Sequence, residues 1–471
     1  MRATPRFLVA ALAALLIATS AQAQKASGVT ALVGATLIDG TGAEPVENAT
    51  IVIKRGRIVS AGQLDALKIP EDAEVIELDG KWIIPGLIDA HVHFFQSGGL
   101  YTRPDVVDLR DRRAYGDESA AIRRRLPATL ARYLASGVTS VIDVGGPFSN
   151  FELRKRAKKM RLAPRVAVAG PLLATWAPDA LQSDDPPIIR VRRREEARAQ
   201  VRRQLAHKPD LVKLWLVRII DLENEFKWIR TAIDESHAAG VRVFAHATRR
   251  EVARAAVRAG VDVLAHSVTD RSLDHPFIAM LKNRGVVYVT TLAVGDRYHN
   301  VLSGAAELSD IERRLGEPEA IASFADAATV PAARLPAWVR PGSAPPDNAV
   351  AFANLRMLAA AGVTIAAGSD AGNIGSLHGP ALHRELAAMA KAGLTPMQVI
   401  VAATRGGAHA MGRAALLGTI EAGKLADLVV LDADPLDDIR NTQAIHRVVK
   451  GGAILDPKDI MAEATAEKEL D

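Results

Sequence analysis

Residues 82–93 read Trp82-Ile83-Ile84-Pro85-Gly86-Leu87-Ile88-Asp89-Ala90-His91-Val92-His93. An apolar, β-branched run leading into His-x-His predicts a buried strand over residues 86–93 that ends in two imidazoles. Side chains alternate along a strand, so His91 and His93 point to one side. Two neutral imidazoles converging from one strand make half of a divalent metal site, and nitrogen donors of this kind suit zinc. Two histidines on a surface strand would give the same letters, so the rest of the chain has to decide between the readings.

Downstream, apolar strand-like runs at residues 138–144, 165–169, 211–216, 241–246, 261–266, 286–292 and 363–370 alternate with helical stretches such as 122–136, 195–207, 227–239 and 249–259. Eight buried strands separated by helices fit an α/β fold of the (β/α)8 TIM barrel type. The competing open doubly wound sheet would need a Gly-rich phosphate loop after an early strand, and the sequence has none. Short β-like pieces with turn residues fill residues 29–76, and the same texture returns over 420–432 and 444–452. This predicts a small β-sandwich domain built from both chain ends, residues 24–84 and 413–471, around a barrel over 85–412.

A chain of 471 residues with 49% hydrophobic content can bury a large core plus a smaller one. The net charge of +5 and the cluster Arg192-Arg193-Arg194 raise the question of nucleic acid. Glu195 and Glu196 follow that cluster directly and no aromatic residues interleave, so a solvated helix face is the better reading and no nucleic-acid partner is expected. Residues 1–23 carry Arg2 and Arg6, an apolar run from Phe7 to Ala18, and Ala21-Gln22-Ala23 before Gln24. That pattern predicts a cleaved signal peptide and export to a bacterial periplasm. The apolar run is too short to span a bilayer, so no membrane association is expected after cleavage. With no cysteine in the chain, disulfides and thiolate metal sites are excluded.

The polar residues fall at one end of the strands. His91 and His93 end the first, His246 the fifth, His266 the sixth and Asp370 the eighth, while Lys213 lies within the fourth. In a barrel the carboxyl ends of the strands converge on one mouth, where the chemistry of this fold sits. Taken singly, His246 or His266 could be a satisfied core histidine and Lys213 a snorkelling edge residue. All of those explanations would have to hold together, and at matching strand positions.

The order His-x-His, Lys, His, His, Asp resembles the amidohydrolase superfamily over nearly the whole chain. Residues 85–93 look like its entry motif, residues 423–432 like its closing signature, and Gly368-Ser369-Asp370 like its eighth-strand motif, although many relatives have Thr at the position of Ser369. Residues 379–402, with His383-Arg384-Glu385-Leu386 and Gly393-Leu394-Thr395-Pro396, are most similar to the imidazolonepropionase-related, Xaa-Pro dipeptidase-like branch. The resemblance implies that Lys213 is carboxylated by CO2 and that its carbamate bridges two zinc ions. One would be held by His91, His93 and Asp370, the other by His246 and His266, with room for a bridging hydroxide. Asp370 would shuttle the proton to the leaving amine. If Lys213 is unmodified, a one-metal site stays open, and such ligands also accept manganese or cobalt. Barrels of this family commonly associate, so a homo-oligomer is possible.

Substrate choice falls to the loops. The long connection over residues 295–346 contains Tyr298, His299, Trp338 and Arg340, and the loop over 94–118 contains Tyr101, Arg103 and Arg110. An arginine from these loops, or Arg218 after the fourth strand, could clasp a substrate carboxylate. Tyr298 and His378 are further candidates for lining the mouth, whereas His383 on its helix is better read as structural. The expected activity is hydrolysis of amide bonds in small-molecule substrates, dipeptides such as Xaa-Pro or N-acyl amino acids. The alternatives are a ring-opening hydrolase of cyclic amides or lactones, and a metal- or solute-binding barrel without turnover.

Overall fold

The computed structural model describes residues 28–340 and 342–466, so the leader expected at residues 1–23 lies outside the described residues. The first strands are β1 (Val29–Leu37), β2 (Val46–Lys54), β3 (Arg57–Gln63), β4 (Glu74–Glu77) and β5 (Trp82–Pro85). Gly86 alone separates β5 from β6 (Leu87–Val92). A Cβ at Gly86 would collide with the Thr139 side chain, so the chain can pass this close to its neighbour only as glycine. Then come β7 (Val138–Asp143), β8 (Arg165–Val168), β9 (Leu172–Ala174), β10 (Ile188–Arg190), β11 (Leu211–Trp215), β12 (Arg242–His246), β13 (Val263–Ala265), β14 (Val287–Thr290) and β15 (Ile365–Ala367). The chain closes with β16 (Leu428–Leu431), β17 (Ile445–Lys450) and β18 (Ala453–Leu455).

The fold is mixed α/β. One eight-stranded sheet draws on both chain ends in the order β18-β17-β16-β5-β1-β2-β3, with β4 paired to β1. The middle of the chain forms two parallel ladders, β6-β7-β8 and β10-β9-β11-β12-β13-β14-β15. Two parallel bridges link them, Ala169 to Leu211 at one junction and Val92 to Ala371 at the other. Parallel strands covered on both faces should be apolar throughout, and β6, β7, β13, β14 and β15 are buried at every position.

Alternation along the strands sorts side chains between two cores. Val212, Leu214, Val243 and Ala245 pack outward against the helices, including buried Trp228, Ile229 and Val252. Leu211, Phe244, Val263 and Val287 pack inward with Ile88 and Ile142. Lys213 and His246 share the inward register with Leu211 and Phe244. The helices follow from their caps and apolar stripes. Asp274 accepts from Phe277 N at 3.0 Å to start the helix His275–Asn283, and such a cap is worth about 1 kcal/mol. Helix Arg250–Ala259 buries Val252, Ala253, Ala256 and Val257 and stops at Gly260, whose φ of 111° is left-handed.

Two expectations change in extent. The first long helix spans Tyr115–Ala135 and so begins before residue 122; Asp117 and Glu118 in its first turn are the signal for that start. The connection over residues 295–346 is not an open loop. It holds helices Ala293–Leu302, Asp310–Leu315 and Pro318–Ala322, and packs Val301, Phe324, Leu335 and Val339 against Leu100 and Leu109. Among the described residues no helix is long and apolar enough to cross a membrane.

Candidate metal centre and active site

The strand ends bring His91, His93 and Asp370 together, with one donor atom from each lying within 4.8 Å of the others. Both His91 Nε2 and His93 Nε2 stand 3.4 Å from Asp370 Oδ1. His266 Nδ1 is 3.9 Å from Asp370 Oδ2. The His246 and His266 rings meet at 4.2 Å between centroids, and His91 and His266 at 4.5 Å. Lys213 lines the same cavity, whose volume is 610 Å³.

Two residues reach this cluster by leaving regular strand geometry. β13 ends at Ala265, and His266 takes φ 71°; β15 ends at Ala367, and Asp370 takes φ 52°. Continued alternation would send His266 outward with Leu264, so the left-handed turn redirects its imidazole into the cavity. Asp370 N donates to His91 O at 2.8 Å and His93 N to Ala371 O at 2.9 Å, which splices the exit of β15 to that of β6. Gly368 is required here, because a Cβ would press on His91 Cβ and Val289 Cγ1. Asp89 completes the splice. Its carboxylate accepts from Ser369 N at 2.9 Å, Ser369 Oγ at 2.5 Å and His91 N at 3.3 Å, while burial pushes its pKa up to about 7.

The electrostatics suit a cation. Burial is the largest influence on all four imidazoles and holds them neutral: His93 and His246 fall to about 3, and His91 and His266 drop well below the ordinary value. His93 Nδ1 donates to Gly145 O at 2.9 Å, which leaves Nε2 as a free lone pair facing Asp370. His266 Nδ1 is likewise engaged, 2.8 Å from Thr291 Oγ1. Both ring nitrogens of His91, Lys213 Nζ and Asp370 Oδ1 are buried with no hydrogen-bond partner. Orphaned donor atoms of this density are costly unless an ion satisfies them. Burial also pushes the Lys213 ammonium pKa down and the Asp370 carboxyl pKa up, each opposed by the charge of the other.

A titration prediction follows for His246. Its folded pKa lies below the unfolded one, so the unfolded chain takes up a proton near pH 6.5 that the native state refuses until about 3. Stability from this group is therefore present above pH 6.5 and lost as pH falls toward 3, at about 1.4 kcal/mol per pH unit. In metal-free protein, thermal melts of wild type and His246→Gln should converge or cross in the variant's favour by about 2 kcal/mol between pH 6.5 and 5. An unchanged gap would show that His246 is solvated.

Arg103 reaches the cavity from the loop after β6. Asp105 grips it bidentately at 2.8 and 2.7 Å, and it donates to Tyr298 Oη at 2.9 Å and to Asn373 Oδ1. Tyr298 Oη donates to Asn373 Oδ1 at 2.5 Å, and Asn373 Nδ2 donates to Asp370 O at 3.1 Å. Tyr298 thus lies where the sequence suggested, on the cavity wall. His378 and Arg218 do not. His378 is stacked on Phe94 at 5.4 Å, bonded to Tyr133 Oη at 2.7 Å and Gln96 O at 2.8 Å, and serves packing. Arg218 lies over the Trp176 ring at 3.8 Å, in a separate crevice. Asn373, Thr291 and Asp89 were missed from the sequence, since each acts through hydrogen bonds across distant segments. A further cavity of 650 Å³ behind Phe94 and Phe95, walled by Ile122, Leu126 and Leu153, presents no cluster of metal donors.

Residues 82–455 match the Amidohydrolase family, and the chain belongs to that family. It is a hydrolase acting on C–N bonds. The imidazolonepropionase of Geobacillus kaustophilus (strain HTA426) is 26% identical over 450 residues, covering 87% of this chain and 90% of that protein. The imidazolonepropionase of Shouchella clausii (strain KSM-K16) is 38% identical over 118 residues, 26% of its length. Among solved structures, a Bifidobacterium longum protein described as a prolidase is 26% identical at a TM-score of 0.66, covering 94% of this chain and 99% of its own. A Xaa-Pro dipeptidase with bound methionine in its active site shares the fold at 23% identity and a TM-score of 0.67, covering 91% of this chain and all of its own. These relatives correct one expectation. Export to a periplasm rested on residues 1–23 alone, which lie outside the described residues, and the relatives aligned along the chain are imidazolonepropionases, so that expectation is withdrawn.

Proposed function

We propose that the protein is a metal-dependent hydrolase of amide bonds in small carboxylate-bearing substrates, dipeptides such as Xaa-Pro or N-acyl amino acids. The observation that carries this reading is the half-buried guanidinium of Arg103, oriented by Asp105 on the wall of the cavity that holds the orphaned imidazoles and Asp370. Asp105, Tyr298 and Asn373 take four of its five N–H donors, and the one left on Nη2 is held in place to donate to a substrate carboxylate. His91, His93 and Asp370 would hold one zinc and His246 and His266 a second, with Lys213, carboxylated by CO2, shared between them. Carboxylation suits Lys213 because it exchanges an expensive buried ammonium for an anionic oxygen donor. A bound divalent metal supplies Lewis acidity and a water that ionises near neutral pH. Asp370 takes the proton from the attacking water and returns it to the leaving amine.

The same reading gives the two parallel ladders, bridged at both junctions, as one closed (β/α)8 barrel over residues 85–412. The sheet from the chain ends then forms a β-sandwich domain over 24–84 and 413–471. Opening of a cyclic amide is the second reading, favoured by the imidazolonepropionase relatives.

Amino-acid release from a mixed library of dipeptides and N-acyl amino acids tests the proposal. Release that requires metal supports it; no release from metal-loaded protein, with turnover of cyclic amides instead, transfers the assignment to ring opening. Arg103→Met should raise KM for carboxylate-bearing substrates about 10–100-fold with a smaller change in kcat. Equal KM values for wild type and variant would place the carboxylate elsewhere.

A further inference from the structure

Alternation along β11 puts Trp215 on the same side as Lys213, and its indole lines the cavity beside the imidazoles. Trp176 stacks behind it, with ring centroids 5.7 Å apart and planes 28° apart. Arg218 lies over the Trp176 ring at 3.8 Å. The Trp215 and His246 rings meet nearly perpendicular, 6.3 Å apart at 79°. Of the two stacked indoles, Trp215 is the one that lines the cavity. Trp215 remains partly exposed, so its indole offers the cavity an apolar surface on which a planar group can stack.

The other aromatic residues on the cavity wall are differently engaged. The Tyr298 hydroxyl is committed to Asn373 and Arg103, and Trp338 meets the Tyr298 ring edge-on at 6.0 Å and 74°, itself 46% exposed at the rim. Trp215 and the Arg103 group come from different strands. Trp215 ends β11, inside the long parallel ladder, while Tyr298 and Asn373 follow β14 and β15 at one end of it and Arg103 follows β6, which is bridged to that end through Val92 and Ala371. A substrate anchored by its carboxylate at Arg103 and cleaved near Asp370 would direct its acyl portion toward β11.

We propose that Trp215, backed by Trp176, is the specificity wall for a planar aromatic acyl group, so that the preferred substrates are amides of aromatic acids with amino acids. This deepens the amide-hydrolase reading and rests on it. An aromatic acyl group would stack on the indole and cover it, whereas an acetyl group presents no ring.

Matched N-benzoyl and N-acetyl derivatives of glycine, leucine and proline test this, by steady-state kinetics and by calorimetric binding to the protein as purified. Wild type should favour the benzoyl member about tenfold in kcat/KM, mainly through KM. Trp215→Leu should collapse the benzoyl-to-acetyl ratio, Trp215→Phe should keep most of it, and Trp176→Leu should reduce it by a smaller factor. An unchanged ratio in a folded Trp215→Leu protein overturns the assignment. If Trp215→Leu does not fold, the Trp215→Phe and Trp176→Leu ratios decide. If wild type cleaves neither acyl class, the amide-hydrolase reading fails, and binding alone decides the wall. Tighter benzoyl than acetyl binding that is lost with the indole upholds it, and equal binding overturns it.

Discussion

Asp370→Asn should lower kcat by about 10²–10⁴-fold, the range expected when a proton-transfer group is lost, while the thermal midpoint stays within a few degrees of wild type. The backbone argument for the second half is direct. Asp370 sits at φ 52°, and among residues with a side chain Asn tolerates this left-handed conformation better than other uncharged replacements. The backbone hydrogen bonds that seat the turn, Asp370 N to His91 O and Asn373 Nδ2 to Asp370 O, do not involve the carboxylate. The side chain is another matter. Oδ1 faces the Nε2 atoms of His91 and His93 at 3.4 Å and makes a hydrogen bond to neither, a spacing that a cation would fill. An amide there brings no charge and accepts no proton. Measuring metal content beside kcat separates the two roles: full occupancy with lost turnover assigns the proton work to Asp370, and lost occupancy assigns it as a ligand. Turnover within tenfold of wild type would mean that another group moves the proton.

The second large effect dissociates stability from activity. Lys213 is 1% exposed and its Nζ has no hydrogen-bond partner. An isolated buried ammonium is strongly penalised, so the residue pushes its own pKa down rather than stay charged. Lys213→Met removes that penalty at nearly constant volume. In metal-free protein the variant should melt at the same temperature as wild type or a few degrees higher, yet metal-supported turnover should fall at least about 100-fold. Intact-mass measurement of wild type with bicarbonate and metal should show one added CO2, absent from the variant. Full turnover by wild type without that adduct would make Lys213 a plain amine and favour a single-metal site.

The strand rhythm was legible because parallel strands buried on both faces leave long apolar runs that no other element needs. The His-x-His pair and Asp370 were legible for a related reason: polar residues at the ends of such runs are conspicuous. What stayed hidden lies off that pattern. Asp89 sits inside an apolar strand and looks like a misplaced charge until Ser369, 280 positions away, supplies its hydrogen bonds. Thr291 and Asn373 occupy segments whose course depends on tertiary contacts. Arg218 and His378 were credible from position alone, but one is drawn to an indole face and the other to Tyr133 and Phe94. The connection over residues 295–346 read as a loop because its helices are short and their apolar residues irregularly spaced.

The pairing of β5 has a consequence for how the molecule is made. β5 lies between β1, which precedes it, and β16, which is antiparallel to it and begins at residue 428. The ribosome therefore delivers the two imidazoles of the first ladder long before the strand just upstream of them has its second neighbour. Until residues 428–431 emerge, β5 is an open edge with unpaired amides and carbonyls, separated from β6 by one glycine. A product broken off earlier in translation carries every donor residue yet cannot brace the strand that aims the first two. It also displays an open edge, a template for pairing with a second chain, so full-length protein should stay monodisperse where a fragment ending before residue 428 associates.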